Sequence, residues 1–286
     1  MKKRRIGDIV RIGILIVAFS VLLYPTISNY LYAKNSSGIA QEYDQHALSL
    51  PSEKKIAMLQ DAQEYNQSLT GLSGFADPFS TESGEGENQQ YEALLDVDGS
   101  GMMGYITIPK INVKLPIYHG VSEEVLQAGV GHLAQSSLPV GGEGTHAVLT
   151  GHRGLPSARL FTDLDQVTRG DIFYLYILDE KMAYQVDQIV TVKPEETQAL
   201  EIESHEDYVT LITCTPYGVN THRLLIRGSR IPYEEAVEQI PDETDGIYIP
   251  FEIKILGIGL AVLALLWIVW MILRWLKRRR KRDEKQ

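Results

Sequence analysis

Cys214 is the only cysteine among 286 residues, and it ends a strand-like run, YVTLITC, just before the turn-like TPYG. A single thiol can be a buried packing residue, one half of an intermolecular disulfide, or a nucleophile whose chemistry needs one sulfur. It cannot staple its own chain, so a disulfide framework is excluded. The sequence also lacks the Cys/His clustering of a zinc site, and no metal or other cofactor is expected. A thiol attacks as its thiolate and needs a base or a positive partner. Nine residues on, Arg223 lies at the start of the next strand-like run, HRLLIRGSRI. A hairpin would bring Arg223 beside Cys214, where a guanidinium favours the thiolate and can stabilise the charge of a tetrahedral intermediate. On its own it could equally form a surface salt bridge.

Histidine is the usual base for such a thiol, and the chain has seven. His46 and His205 lie in polar surroundings and read as solvated. His119, His132 and His146 sit near turns with nothing to distinguish them. His222 precedes Arg223 directly, so in a strand the two point to opposite faces. His152, in HAVLTGHRGLP, follows a hydrophobic strand and enters a Gly/Pro-rich loop. That placement mirrors Cys214 and makes His152 the leading candidate on pattern.

These residues need a scaffold. From Gly104 onward, MGYITI, KLPIYHG, HAVLTGH, DIFYLYIL, MAYQVDQIVTV, DYVTLITC and HRLLIRGSRI are short runs rich in Val, Ile, Tyr and Leu, mostly separated by turn residues. Two short helical pieces are expected around SEEVLQAG and SARLFTDL. Seven or eight strands with few helices indicate a mainly β domain, a sandwich or, the reading preferred here, a closed barrel. Upstream, Ile56, Leu59, Ala62, Tyr65, Leu69 and Leu72 recur at spacings of three and four, with Ser52 as a plausible N-cap, which predicts an amphipathic helix. GLSGFADPFSTESGEGENQQ then reads as an exposed loop carrying one apolar island, FADPF.

The ends of the chain predict a location. Residues 12–33 and 255–273 carry no charge, and each is long enough to cross a bilayer as a helix. MKKRR resembles the basic start of a signal peptide, but no A-x-A-like site follows, which favours an uncleaved anchor. Lys2, Lys3, Arg4 and Arg5 at one end and KRRRKR at 277–282 at the other predict cytoplasmic termini. The expectation is a multi-pass cell-membrane protein of two helices in contact with the lipid bilayer, its catalytic domain extracellular. Five basic and one acidic residue fall in 1–11, and eight and two in 274–286; 14 basic and 34 acidic residues remain between them. That acidic segment excludes nucleic acid as a partner and favours basic ones.

LTGHRGLP at 149–156 together with TLITCTPYGVNTHRLLIRG at 210–228 resembles the signature pair of the sortases, membrane-bound cysteine transpeptidases of Gram-positive bacteria. The resemblance spans roughly residues 100–232 and implies the family's eight-stranded β-barrel. It also implies Cys214 as nucleophile, His152 as acid/base partner and Arg223 as support for substrate and oxyanion. Asp77, Pro78 and Phe79 in FADPF, with the second apolar stretch and GHLAQSSLPVGGEGTHAVLTGHRG, resemble the class C, pilin-polymerising branch, whose Asp-Pro-aromatic lid precedes the barrel. The organisation so implied is a tail and membrane helix over 1–33, a helical segment and lid loop over 34–98, the barrel over 99–240, and a linker, membrane helix and basic tail over 241–286. The implied reaction cleaves an LPXTG-like sorting signal between Thr and Gly and passes the thioester to a pilin lysine. A sortase that anchors proteins to a cell-wall amine is the alternative within the class. A non-catalytic tethered adhesin or scaffold with a buried cysteine is the alternative outside it.

Overall fold

Short runs of branched and aromatic residues form eight strands: β1 (Met102–Ile108), β2 (Val113–His119), β3 (Val130–His132), β4 (Thr145–Thr150), β5 (Ile172–Ile177), β6 (Glu180–Val192), β7 (Asp207–Thr215) and β8 (His222–Ile231). They close into a barrel in the order β1-β2-β3-β4-β7-β8-β6-β5. The structure is a computed structural model that describes residues 2–69, 76–79, 89–237 and 257, with the side chains of 2–12, 15 and 16 outside the description. The chain divides into two compact units, Met1–Pro241 and Asp242–Gln286, and the eight described strands belong to the first.

Alternation along each strand separates two apolar layers. Ala147 and Leu149 of β4, Val209 and Leu211 of β7, and Leu224 and Ile226 of β8 fill the barrel with Ile106, Ile117, Phe161, Phe173 and Leu175. Their neighbours Val148, Ile212 and Leu225 face outward into a second cluster with Val121, Leu126, Leu133 and Leu200. This outer layer is continuous with the site described below. Strand β3 has three residues and no alternation to announce it, so sequence periodicity did not reveal it. It pairs parallel to β2 and antiparallel to β4.

Among the described residues two long helices precede the barrel, α1 (Lys2–Ser49) and α2 (Ser52–Ser68). The expected amphipathic helix is α2, but Pro51 takes the N-cap position and no side chain caps it. Ala62 and Leu69 are buried and Ile56 is exposed, while Leu72 lies outside the described residues. Asn66 fastens α2 to the barrel: its amide donates to Leu138 O (3.1 Å) and its carbonyl oxygen accepts from Leu138 N (2.6 Å). After a short α3 (Gln89–Glu92), the SEEVLQAG segment forms α4 (Glu123–Ala128), capped by the Ser122 side chain. The expected helix at SARLFTDL is instead a series of turns ahead of a 3₁₀ turn at Leu164–Gln166. Leu160 there has φ +40°, and Phe161 N–H bonds back to His152 O, a loop closure that an α-helix does not permit.

The membrane placement is corrected. Among the described residues no helix is long and apolar enough to cross a membrane, so the two-span, multi-pass, bilayer-contacting arrangement with both termini inside does not stand. Pro25, Thr26, Ser28 and Asn29 dilute the second half of the first expected span, 12–33. Residues inside it also serve the barrel: Ser28 Oγ donates to Ser157 O (2.9 Å) and Tyr32 OH to Ala128 O (2.6 Å). An uncharged run is a statement about composition, and these contacts give α1 a different use for its polar residues. The second expected span, 255–273, lies outside the described residues apart from Gly257.

Candidate active site

Strand pairing gathers the sequence candidates at one end of the barrel. β4 and β7 run parallel with Thr150 opposite Ile212. His152 and Cys214 therefore each stand two residues beyond the same pair. The register holds past the end of β4, because Gly151 N donates to Ile212 O (3.0 Å) and Thr213 Oγ1 to Gly151 O (2.7 Å). A Cβ at Gly151 would lie 2.7 Å from the Phe161 ring, so the chain can reach His152 by this route only with glycine. β8 runs antiparallel on the other side of β7, and Cys214 pairs directly with Arg223. By strand alternation Cys214 shares the outward face of Ile212, and Arg223 that of Leu225.

The Asp77–Phe79 segment closes over this end. Arg223 Nε and Nη2 donate to the two carboxylate oxygens of Asp77 at 2.8 and 2.7 Å, a bidentate, charge-assisted pair. Arg223 Nη1 donates to Asn220 O and His222 O at 3.1 Å each. The Phe79 ring lies 5.0 Å from the Arg223 guanidinium carbon and 5.8 Å from the His152 ring, and packs against the outer apolar cluster. Pro78 between them is buried. The hydrogen bonds that Asp77 accepts hold the Arg223 guanidinium even more firmly protonated than usual. Burial pushes the Cys214 thiol up; Arg223 draws it down and Asp77 opposes that pull. The net shift is upward, with burial its largest cause.

The other histidines are each accounted for by a partner. His46 pairs with Asp98 (3.0 Å) and His205 with Glu143 (2.8 Å). His119 bonds the carbonyls of Gly101 and Leu94, and His222 lies 2.9 Å from Thr221 Oγ1. His132 and His146 are buried and hydrogen-bonded through both ring nitrogens. His152 differs: its Nε2 is buried without a hydrogen-bond partner. Glu123 Oε2 stands 3.4 Å from it, within ion-pair range but not aligned as a hydrogen bond. Thr150 Oγ1, two residues earlier, is likewise buried and unbonded.

Two residues without a sequence assignment belong to this end as well. Arg153 donates from Nη1 to Thr215 Oγ1 (3.1 Å), from Nε to Thr162 O (3.2 Å) and from Nη2 to Asp165, bracing the His152 loop against the residue after Cys214. Glu123 reaches His152 from α4. Neither follows a periodic pattern, and the sequence reading singled out neither. Among the described residues no group of three or more His, Cys, Asp and Glu could hold a metal ion.

The barrel that carries this arrangement is matched among known proteins. Residues 106–231 match the sortase domain family. Sortase C of Streptococcus pneumoniae is 47% identical, with 68% of this chain and 97% of that one covered and a TM-score of 0.65. The chain belongs to the sortase family. Sortase C1 of Streptococcus agalactiae is 49% identical over 68% of this chain and 98% of its own, with a TM-score of 0.62, which puts this sortase on the class C branch. The resemblance extends to sortase A of Bacillus anthracis, 25% identical over 236 residues, 81% of this chain and 97% of that protein. As a sortase the protein is a cysteine transpeptidase, and the scaffold reading is set aside.

Proposed function

We propose that this sortase cleaves an LPXTG-like sorting signal between threonine and glycine and transfers the acyl fragment to a lysine amine of a pilin subunit. The observation that carries this reading is the clamp of Asp77 on Arg223 with Phe79 against His152. It is a removable cover over this end of the barrel, its Phe79 ring resting on the outer apolar cluster until a donor arrives. A related structure, that of Streptococcus pneumoniae sortase C, is described as informing pilin substrate specificity. In this proposal the helical segment and lid at 34–98 serve the barrel at 99–240.

With the lid displaced, Arg223 is left to stabilise the Cys214 thiolate, and the sulfur attacks the threonine carbonyl carbon. The carbonyl π pair moves onto oxygen, where Arg223 offsets the developing charge. The tetrahedral intermediate collapses, the C–N bond breaks, and His152 gives its proton to the departing glycine amine. The product is a thioester on Cys214. The lysine amine then attacks the thioester carbonyl, yielding its proton to His152 as the C–S bond breaks and the thiolate returns. Apolar walls built from Val148, Ile212 and Leu225 limit water at the thioester, which favours transfer over hydrolysis.

The test is product analysis. The full chain, as wild type and as Asp77→Ala, is incubated with a pilin carrying an LPXTG-type signal, with or without its acceptor lysine. An isopeptide bond to that lysine, found by tandem mass spectrometry and lost in the lysine variant, supports the proposal. Transfer confined to a peptidoglycan-type amine would put the cell-wall-anchoring reading in its place.

A further inference from the structure

We propose that Glu123 is a positioning residue for His152, holding the imidazole in its proton-donating orientation once the lid has left. Glu123 is the first residue of α4, which Ser122 caps by accepting from Val125 N. The helix is anchored from both sides: Leu126 is buried in the outer apolar cluster, and Tyr32 OH donates to the carbonyl of Ala128 at its last residue. One turn along, Gln127 Nε2 donates to Glu123 Oε1 (2.8 Å). That bond fixes the carboxylate so that Oε2 is the oxygen 3.4 Å from His152 Nε2.

The geometry separates two states of the histidine. In the closed form the ring meets both Phe79 and Glu123. Displacing the lid removes Phe79, and Glu123 becomes the support that stays, because it is carried by α4 rather than by the lid. A small rotation aligns the Nε2–H with Oε2, turning a contact into a charge-assisted hydrogen bond. The imidazole is then fixed in one orientation, which a general acid for the leaving amine requires. The Gln127 bond, with a contribution from His152, holds the Glu123 carboxyl below the usual glutamate range. Other titratable groups at this end of the barrel include Cys214 from β7, Arg223 and His222 from β8, the lid's Asp77, Arg153, which is tied to Asp165, and Tyr217, whose ring lies beside Arg153. Glu123 is the acid that approaches His152 from outside the lid.

This inference rests on the acid/base role proposed for His152, and the test separates the two. Initial rates of transfer from an LPXTG-type peptide to an amine are measured against pH for the full chain in an Asp77→Ala background. Glu123→Gln, Glu123→Asp, Gln127→Ala and His152→Ala are compared. Glu123→Gln is expected to lower kcat about fivefold with KM unchanged and to move the alkaline limb of the kcat profile about half a pH unit lower, the range of a partly exposed pair. Glu123→Asp should recover part of the loss, and Gln127→Ala should show a smaller loss of the same kind. His152→Ala should be inactive. A Glu123→Gln profile that overlays the parent while His152→Ala is dead would overturn the positioning role and leave the His152 assignment standing. Activity retained in His152→Ala would overturn both.

Discussion

Two buried polar clusters on this barrel are built in opposite ways. Around His132 everything is paired. Tyr91 OH lies 2.8 Å from His132 Nδ1, His132 Nε2 is 2.8 Å from Ser137 O, Ser136 Oγ accepts from Val148 N, and Ser137 Oγ accepts from His146 N. His132, Ser136 and Ser137 are all fully buried. Around Cys214, Arg223 takes its carboxylate partner from outside the barrel, and Thr150 Oγ1 and His152 Nε2 have no hydrogen bond. A buried polar group without a partner costs about 1–3 kcal/mol, so a fold keeps one only where something else uses it. The satisfied cluster fastens the segment before β1 to the sheet. In the function proposed above, the unsatisfied one is held for a substrate.

Removing the charge at the unsatisfied cluster should give the largest effect. Arg223→Ala is expected to lower kcat/KM for transpeptidation by about 100-fold or more, measured with an LPXTG-type peptide in the Asp77→Ala background. A loss of less than about threefold would mean the arginine is there for the lid alone.

The satisfied cluster should show itself through pH. Burial lowers His132 and His146 to about 4 in the folded protein, while the unfolded chain binds those protons near 6.5. Their contribution to stability is whole above the unfolded value and falls as pH drops from about 6.5 towards 4. By pH 5 each histidine accounts for a loss of about 2 kcal/mol. Denaturant midpoints at pH 7, 6 and 5 should fall accordingly. His132→Gln should be less stable at pH 7 yet flatter across the window, whereas Cys214→Ala should keep the parent slope.

The smallest effect sharpens the contrast. Thr150→Val removes an unbonded hydroxyl from a fully buried site and keeps the side-chain shape. It should raise stability by about 1 kcal/mol, read as a shift of the denaturant midpoint. Destabilisation by that amount would show that the hydroxyl has a partner after all.

Much of this site was legible in the sequence, for a local reason. A nine-residue interval through TPYG can only be a hairpin if both flanks are strands, so Cys214 and Arg223 fall opposite one another. His152 was legible because it leaves a hydrophobic run just as Cys214 does. Asp77, Pro78 and Phe79 were reached through resemblance, since nothing in FADPF itself says what it covers. Glu123, Arg153 and Thr150 acquire meaning only from the parallel pairing of β4 with β7, about sixty residues apart, and from α4 lying across it. No short-range pattern encodes that juxtaposition. The reading of SARLFTDL as a helix and of 12–33 as a membrane span failed on the same ground: tertiary bonds from Phe161, Ser28 and Tyr32 override local preference.

The most direct test is intact-mass analysis of the full chain mixed with an LPXTG-type peptide, as wild type, Asp77→Ala and Cys214→Ala. The account predicts an acyl adduct of the mass of the peptide through its threonine. It should be absent in Cys214→Ala and more abundant in Asp77→Ala than in wild type, because removing the carboxylate frees Arg223 to stabilise the thiolate. An adduct of equal yield with and without Asp77, or one that survives the loss of Cys214, would contradict it.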